Sequence, residues 1–505
     1  MVVPRPVRTA HVEASPFVLG ASARISVAGA GADAVARLLR AELASDCSRE
    51  LVVVDEPPAF GDIAIVVAPG EGPHEDGSDS AEGYTLEVAP EGVRIGAATP
   101  AGAFWGVQTL RQLIPACDGD VLAIDAVRIH DHPRYAYRGA MLDVARHFFT
   151  PAEVKRFIDA IVLLKVNHLH LHLTDDQGWR IHIESWPELT RVGGSTGSDG
   201  STGGFYTQAE FRDIVAYAAE RYVTVVPEID MPGHTNAALA SYPELNPGGV
   251  APALYTGSEV GFSTLRSRDA TTQRFVRDVI REVAALTPGP YLHLGGDEAL
   301  STTEADFTDF VVDAARVVAE NGKTPLGWHE LARAEGLPAG TIGQYWDFTT
   351  PRGRSAELAL AFVRGGGALI LSPSDVAYLD IVYADGDPIG QDWTGRPTTL
   401  SDALVWDPAR IVPGVGDAHI LGVEAPLWTE TVSTIEEVER MVFPRLAAIA
   451  EVGWSPAPAD TEEVESARDF DDFARRVAEL AEHWDAAGTQ YRRVPEVPWP
   501  VHAGR

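Results

Sequence analysis

Two adjacent acids that follow two glycines are the feature of this sequence best suited to chemistry. Asp297 and Glu298 come directly after Gly295 and Gly296, at the end of an apolar run that begins at Tyr291. Adjacent residues on a strand point to opposite faces, so both acids reach one site only where the strand gives way to a loop. The two glycines permit that turn. Because neighbouring buried carboxylates repel, one of them must hold a proton, as a general acid does.

Further acids, an arginine, a histidine and several aromatic residues follow the other apolar runs. A lone acid at a strand end is as often a helix cap, and a lone tryptophan is more often core, so the set carries more weight than its members. Planar rings stack on sugar faces while carboxylates and arginine bind hydroxyls, so the set predicts a carbohydrate site. Its members are Asp143, Arg146, Asp175, Asp176, Gln177, Glu228, Asp230, His234, Trp328, Trp346, Asp375, Tyr378, Asp380, Glu424, Trp428 and Glu430.

The elements that must position these residues repeat after the His132-Pro133 break. Apolar runs alternate with amphipathic helices, two of which begin with the capping-box pairs Thr150/Glu153 and Thr207/Glu210. Eight such units predict an α/β fold, a (β/α)8 TIM barrel whose strand ends face a common mouth. A doubly wound open sheet is the alternative, but the glycine fingerprint expected after its first strand is missing from the sequence. The expected strands are 139–143, 167–173, 223–228, 291–295, 325–328, 341–346, 368–372 and 420–425.

The first 132 residues have a different pattern, which predicts a small α+β domain without a catalytic constellation. Residues 84–89 and 93–97 alternate in polarity around Pro90-Glu91-Gly92, as in a hairpin. Thr99 and Pro100 are typical of a helix start. We therefore expect two domains, residues 1–132 and residues 133–505, the second consisting of the barrel with a C-terminal helix and an extended tail.

Composition narrows the possible partners. The 505 residues include 73 Asp and Glu against 40 Lys and Arg, a formal charge of −33. Such a surface repels phosphate backbones and anionic lipid, so neither nucleic acid nor a membrane is an expected partner.

Cys47 and Cys117 could form one bridge, although small buried thiols are the more common state. The N-terminus lacks the apolar run of a signal peptide, which predicts a cytoplasmic protein, or a secreted one if a signal preceded residue 1. The oligomeric state is left open.

Three alternating histidines, His168, His170 and His172, raise the alternative of a metal site on the second strand. Such sites draw further ligands from later strands, yet no histidine ends the sixth or eighth strand. Packing and hydrogen bonding along the strand are the better interpretation. The sequence therefore predicts neither a metal nor an organic cofactor. The G-x-S-x-G elbow of serine hydrolases is also missing from the sequence.

The motifs resemble glycoside hydrolase family 20, the β-N-acetylhexosaminidases, and are most similar to its bacterial exo-acting members. The resemblance covers essentially the whole chain, because such members also carry a small α+β domain before the barrel. The matching stretches are 138–149 (RGAMLDVARHFF), 170–180 (HLHLTDDQGWR), 227–234 (PEIDMPGH), 293–299 (HLGGDEA), 327–329 (GWH), 344–346 (QYW) and 424–430 (EAPLWTE).

The resemblance implies hydrolysis of terminal, non-reducing β-linked GlcNAc or GalNAc, as in chitin oligomers or glycan termini, by a retaining, substrate-assisted mechanism. Glu298 is implied as general acid and base, and Asp297 as the group that orients the 2-acetamido nitrogen. The implied sugar-binding residues are Tyr378 for the acetamido oxygen; Trp328, Trp346 and Trp428 around the acetamido methyl; Arg146, Asp380 and Glu430 for outer hydroxyls; Asp175 and His234 behind Glu298; and Trp393 beside the leaving group.

Two other function classes compete with this interpretation. A catalytically silent carbohydrate-binding barrel would be favoured by loss of Asp297 or Glu298, and the sequence retains both. A metal-dependent amide or phosphoester hydrolase would lose activity with a chelator, and the ligand set described above argues against it.

Overall fold

The computed structural model describes residues 2–47, 49–73, 80–115, 122–458 and 463–500. Cys117 lies outside these residues, as does the side chain of Cys47, so the predicted state of the two thiols is untested. In the described part of the chain, no helix combines the length and the apolar character needed to cross a bilayer.

The chain divides into two compact units. The first comprises Met1–Ala136, Ala160–Lys165 and Ala450–Arg505, and the second comprises Tyr137–Asp159 and Val166–Ile449. Residues 450–505, which the sequence analysis assigns to the barrel domain, belong to the first of these units.

Sheets and helices build the N-terminal part of the first unit. Seven strands form one sheet in the order β1-β9-β6-β7-β5-β3-β4, and β2 pairs with β8. The strands are β1 (Arg8–His11), β2 (Phe17–Leu19), β3 (Arg24–Ala28), β4 (Val52–Val54), β5 (Ile63–Val67), β6 (Tyr84–Ala89), β7 (Gly92–Ala97), β8 (Leu122–Ile124) and β9 (Val127–Asp131).

The predicted hairpin and helix start in this unit are confirmed. Strands β6 and β7 pair antiparallel, with Tyr84 opposite Ala97. The Thr99 side chain caps the next helix by accepting a hydrogen bond from the backbone N–H of Gly102, and Pro100 occupies the first helical turn. That helix buries Phe104 and Trp105 completely, so its apolar face supplies much of the local core.

Eight parallel strands close into a barrel in the second unit, as predicted. Each strand pairs with the next, and the last pairs with the first. Tyr137, Val226, Leu326 and Ile370 are among the residues that fill its apolar interior. The strands are β10 (Tyr137–Asp143), β11 (His168–His172), β12 (Thr224–Glu228), β13 (Tyr291–His293), β14 (Thr324–Trp328), β15 (Ile342–Tyr345), β16 (Leu369–Leu371) and β17 (Ile420–Leu427).

Helices occupy most of the connections between barrel strands. The predicted capping boxes are present at Thr150/Glu153 and Thr207/Glu210. The α-helices are α1 (Ala32–Cys47), α2 (Pro100–Leu113), α3 (Pro151–Val162), α4 (Glu188–Arg191), α5 (Gln208–Glu220), α6 (Asn236–Ser241), α7 (Ala270–Leu286), α8 (Glu304–Glu320), α9 (Ser355–Arg364), α10 (Leu400–Leu404), α11 (Ile435–Val442), α12 (Arg445–Trp454), α13 (Val464–Ala467) and α14 (Phe470–Ala487).

Candidate active site

A cavity of about 390 Å³ gathers residues that follow different barrel strands. Of the twelve residues the sequence analysis assigns to catalysis or sugar binding, eleven line it. The twelfth, Trp328, lies behind the wall. The lining residues are Arg146, Asp175, Asp230, His234, Ser258, Val260, Asp297, Glu298, Trp346, Tyr378, Asp380, Gln391, Trp393, Trp428 and Glu430.

The acid pair lies on a loop, as the glycines predict. Strand β13 ends at His293, and Gly295 and Gly296 both adopt positive φ, 64° and 92°. Glu298 itself has a φ of 42°, a region that side chains other than glycine rarely occupy. The turn brings both adjacent side chains to the cavity, although on a regular strand they would face opposite ways.

Asp297 and Glu298 have different environments within this pair. Asp297 is buried, and burial raises the pKa of its carboxyl to about 7, with the charge of Glu298 adding to the rise and His234 opposing it. The Glu298 side chain keeps 34% of its surface exposed in the cavity. Burial therefore favours the protonated form of Asp297 in acidic solution.

A chain of charged contacts leads to Glu298 from deeper in the barrel. Arg146 Nη2 lies 2.9 Å from Asp175 Oδ2, and Asp175 Oδ1 lies 3.2 Å from His234 Nδ1. His234 Nε2 is then 3.5 Å from Glu298 Oε2. Burial by itself would lower the pKa of His234, but Asp175 and Asp230 raise it well above its usual value. The carboxylates of Asp175 and Asp230 therefore favour the protonated form of His234.

Two carboxylates on the cavity wall retain unused hydrogen-bonding capacity. Among the described residues, neither oxygen of Asp380 has a side-chain hydrogen-bond partner, and Oε2 of Glu430 has none either. Both carboxyl groups are nevertheless largely buried. Burial raises the pKa of both, and Glu430 adds to the effect on Asp380. Since buried polar atoms are normally paired, these oxygens suit a ligand that brings hydroxyl donors.

Aromatic rings form much of the rest of the wall. Trp393 lies 6.2 Å from Trp346 and 5.9 Å from Tyr378, and Tyr378 lies 6.4 Å from Trp428, as ring-centroid distances. Trp393 is 46% exposed, at the rim. Trp328 packs 5.8 Å from Trp428 and is only 1% exposed, with its indole N–H donated to Glu228 at 3.1 Å. It supports the wall from behind.

Several contributors are absent from the predicted site set. Asp230 is among the strand-end acids of the sequence but carries no predicted role, whereas the structure places it in the cavity. Ser258, Val260 and Gln391 come from long connections without motif character. Glu330 accepts the Trp346 indole N–H at 2.9 Å, and burial raises the pKa of its carboxyl to about 7. Glu330 directly follows the GWH motif, and this position is the sequence signal that could have identified it.

The three alternating histidines make the packing and hydrogen-bonding contacts expected of them. His168 stacks on Tyr137 with ring centroids 3.9 Å apart. His170 Nδ1 lies 2.8 Å from Glu424, and His172 has Asp175 2.8 Å from its Nε2. Burial opposes protonation of His170, but Glu424 and Glu228 raise its pKa to about 9. The charge of a protonated His170 is thus balanced by the carboxylates of Glu424 and Glu228.

Comparisons with known proteins agree with this architecture. Residues 135–307 and 299–457 match the family model for the glycosyl hydrolase family 20 catalytic domain, and residues 1–132 match that for family 20 domain 2. A beta-N-acetylhexosaminidase from Cellulomonas fimi is 41% identical over 99% of this chain and 97% of its own length.

Solved structures give the same result. A family 20 beta-N-acetylhexosaminidase from Streptomyces coelicolor A3(2) superposes with a TM-score of 0.91 at 46% identity, covering 99% of this chain and 98% of that one. A mutant Streptomyces plicatus beta-hexosaminidase in complex with its product GlcNAc gives the same TM-score and identity, covering 99% and 97%.

A parallel barrel with an acid pair and an aromatic-walled cavity at its strand ends, taken with these matches, identifies the chain as a glycoside hydrolase. More particularly, the chain belongs to glycosyl hydrolase family 20, the family of the β-N-acetylhexosaminidases.

Proposed function

We propose that this enzyme is an exo-acting β-N-acetylhexosaminidase that releases terminal, non-reducing β-linked GlcNAc or GalNAc with retention of configuration. The nucleophile in this proposal is the carbonyl oxygen of the substrate's own 2-acetamido group, which closes an oxazolinium ring. The observation that carries the proposal is the placement of Asp297 and Glu298, two adjacent acids on one loop in different environments.

This placement does not suit an enzyme nucleophile. In ordinary retaining glycosidases the acid and the nucleophile flank the anomeric carbon about 5 Å apart, on different elements, and family 20 is a recognised substrate-assisted exception. Because burial raises the pKa of Asp297 to about 7, its carboxyl is largely protonated in acidic solution and then lacks the ionised oxygen that a nucleophile needs. It is well placed to accept the acetamido N–H and, once ionised, to stabilise the positive charge that develops there.

Glu298 supplies the proton in this mechanism. It protonates the leaving oxygen as the acetamido carbonyl attacks, and then, as a carboxylate, it takes a proton from the water that opens the ring. The Asp175–His234 pair is assigned the role of positioning Glu298, from whose Oε2 the Nε2 of His234 is 3.5 Å away. Tyr378 is assigned to the acetamido oxygen, while Trp346 and Trp428, backed by Trp328, enclose the acetamido methyl.

Arg146, Asp380 and Glu430 are assigned to the outer hydroxyls of the terminal sugar. Within the described ranges, both oxygens of Asp380 and Oε2 of Glu430 lack a side-chain hydrogen-bond partner, and sugar hydroxyls would satisfy them, which supports this assignment. Trp393, exposed at the rim, is assigned to the leaving-group side. Chitin oligomers and glycan termini are the proposed substrates, and a relative from Vibrio harveyi, 28% identical over 78% of this chain and 57% of its own length, is an N,N'-diacetylchitobiase.

The test is the initial rate on a chromogenic β-N-acetylglucosaminide beside the matching β-glucoside, which differ only at the 2-substituent. We expect a large preference for the acetamido sugar, with the β-anomer appearing first in the proton NMR spectrum of the product. Comparable rates on both sugars would assign the nucleophile to a protein carboxylate. Turnover of neither would favour the silent binding barrel.

A further inference from the structure

Glu228, at the end of β12, is a buried acid for which the proposed mechanism has no use. Its side chain is fully enclosed in the barrel interior and is surrounded by ring nitrogens from three neighbouring strands. Oε2 lies 2.5 Å from His172 Nδ1 and 3.0 Å from His170 Nε2. Oε1 lies 2.9 Å from His293 Nδ1 and accepts the Trp328 indole N–H at 3.1 Å.

His172 connects this carboxylate to the active site. Its Nδ1 faces Glu228, and its Nε2 lies 2.8 Å from Asp175 Oδ2. The other oxygen of Asp175 contacts His234, whose Nε2 approaches Glu298. Each link is buried up to Glu298, so a displacement at Glu228 can reach the acid through these four contacts rather than being absorbed by solvent.

The carboxylates around His172 favour its protonated form. Glu228 faces it from β12, Asp175 from the loop after β11, and Asp143 from β10, while the ring of Trp428 packs edge-on at a centroid distance of 4.9 Å. Burial alone would lower the pKa of His172, but Glu228 and Asp175 raise it well above its usual value. Burial would conversely raise the pKa of Glu228, which His293, His172 and His170 hold well below its usual range.

We propose that Glu228 and His172 are positioning residues for the general acid. Glu228 holds His172 as an imidazolium that donates to Asp175, and Asp175 in turn holds His234 against Glu298. The proposal rests on the proposed function of Glu298. It adds two residues of the barrel interior, Glu228 and His172, to the groups that position this acid. Glu228 acts on the cavity a second way, because it also orients Trp328 behind Trp428.

The test compares Glu228→Gln with Glu439→Gln. Glu439, in α11, is a matched control because it is equally buried in the same unit, but its carboxylate pairs with Arg156, at 2.6 and 2.8 Å, and not with a histidine of the barrel interior. Both variants remove one buried carboxylate, so both should lower the free energy of unfolding. Only Glu228→Gln should lower kcat/KM on a disaccharide, by roughly ten- to hundredfold, with a smaller loss on an activated aryl glycoside that needs little acid assistance.

The pH profile separates positioning from general structural damage. Without Glu228, His172 loses its proton at a lower pH and Asp175 loses that cationic donor, so the alkaline limb of kcat/KM should move to lower pH in Glu228→Gln. The limb should stay in place in Glu439→Gln. Equal losses on both leaving groups together with an unmoved limb would overturn the proposal.

A measurement on the wild-type enzyme covers the case in which Glu228→Gln does not fold. In ¹⁵N-histidine-labelled protein, with the His172 signals assigned by their loss in His172→Gln, both ring nitrogens should retain the imidazolium shifts beyond pH 7. Titration of His172 near pH 6.5 would overturn the proposal. This readout does not depend on turnover, so it is distinct from failure of the acetamido preference in the wild-type enzyme.

Discussion

The two units each contain a buried cluster of charged side chains, and the two clusters differ in how completely they are paired. In the first unit, Lys165 Nζ lies 2.7 Å from Asp131 and 2.8 Å from the Tyr84 hydroxyl, and it sits 4.3 Å from the centre of the Trp454 ring. Asp131 also accepts from Tyr84 at 2.6 Å and from Trp454 at 2.9 Å. Each named charged group has its partners within the cluster.

The cluster in the barrel unit is left incomplete by comparison. Asp297 Oδ1 and both oxygens of Asp380 have no side-chain hydrogen-bond partner among the described residues, and both groups line a cavity. Burial of charge is common to the two clusters, so it does not identify a functional site by itself. What distinguishes the barrel cluster is unused hydrogen-bonding capacity on the wall of a cavity. This difference predicts which substitutions affect the reaction and which affect stability alone.

The largest expected effect is on the reaction, at the acid. Glu298→Gln should reduce turnover of a natural disaccharide by roughly 10²–10⁴, because positioned acid catalysis is typically worth that much. The loss should be smaller on aryl glycosides with good leaving groups, which serve as the internal control in steady-state assays. A loss below about tenfold on the disaccharide would remove Glu298 from the role of general acid.

A somewhat smaller loss of turnover is expected when Asp297, the neighbour of Glu298, is substituted. Asp297→Asn should slow formation of the oxazolinium by about 10²–10³, the usual cost of deleting one electrostatic stabiliser of a transition state. Product binding, measured by titration calorimetry with GlcNAc, should change little. Unchanged turnover would exclude Asp297 from the mechanism.

Substitution in the Lys165–Asp131 cluster of the first unit should instead lower stability and leave the reaction rate unchanged. Lys165→Met leaves Asp131 buried without its cation, which costs about 3–5 kcal/mol of unfolding free energy, measurable in urea titrations. The rate per folded molecule should equal that of the wild-type enzyme. If Lys165→Met lowered kcat without lowering stability, the contrast between the two clusters would be wrong.

The smallest expected effect concerns the pH dependence of stability. Burial raises the pKa of Asp297 to about 7, whereas an unfolded Asp titrates near 4. Between pH 4 and pH 7 the folded state therefore binds a proton at Asp297 that the unfolded state has released. The stability that this proton contributes is complete below pH 4 and is lost as pH rises through 7.

Asp297→Asn should accordingly flatten the fall in unfolding free energy between pH 4 and pH 7. One pKa unit corresponds to about 1.4 kcal/mol, so the variant should gain about 1 kcal/mol or more relative to wild type at the upper end. Asp392→Asn, which removes an exposed carboxyl in a neighbouring loop, is the control. Parallel curves for wild type and Asp297→Asn would show that the catalytic carboxyl imposes no such cost.

The barrel could be predicted from the sequence because each of its strands is an apolar run bounded by helix signals. All eight expected runs contain or overlap the observed strands, and boundaries differ by only a few residues. Strand β1 illustrates what such a pattern misses, since Arg8–His11 is exposed along its whole length and shows no apolar alternation. It is held by pairing with β9, which lies more than a hundred residues later.

The same distinction applies to the site. Residues at strand ends or within dense motifs, such as Arg146 and Glu298, could be identified because the barrel fixes where strand ends meet. Gln391 and Val260 could not, since long connections place them and no periodicity records that placement. The role of Glu228 required the structure as well, because its partners His172 and His293 come from two different strands.

The turn at Gly295 has a consequence for protein design. A Cβ added there would overlap the carboxylate of Asp230, and one added at Gly296 would run into the Leu331 side chain. The position of the acid pair therefore depends on Gly295 and Gly296, which lack side chains. It also depends on Asp230 and Leu331, which occupy the space that side chains at the two glycines would need. Grafting Asp297 and Glu298 alone onto another barrel scaffold would transfer the reactive groups without their geometry. A successful graft would carry the two glycines, Asp230 and Leu331 as a single unit.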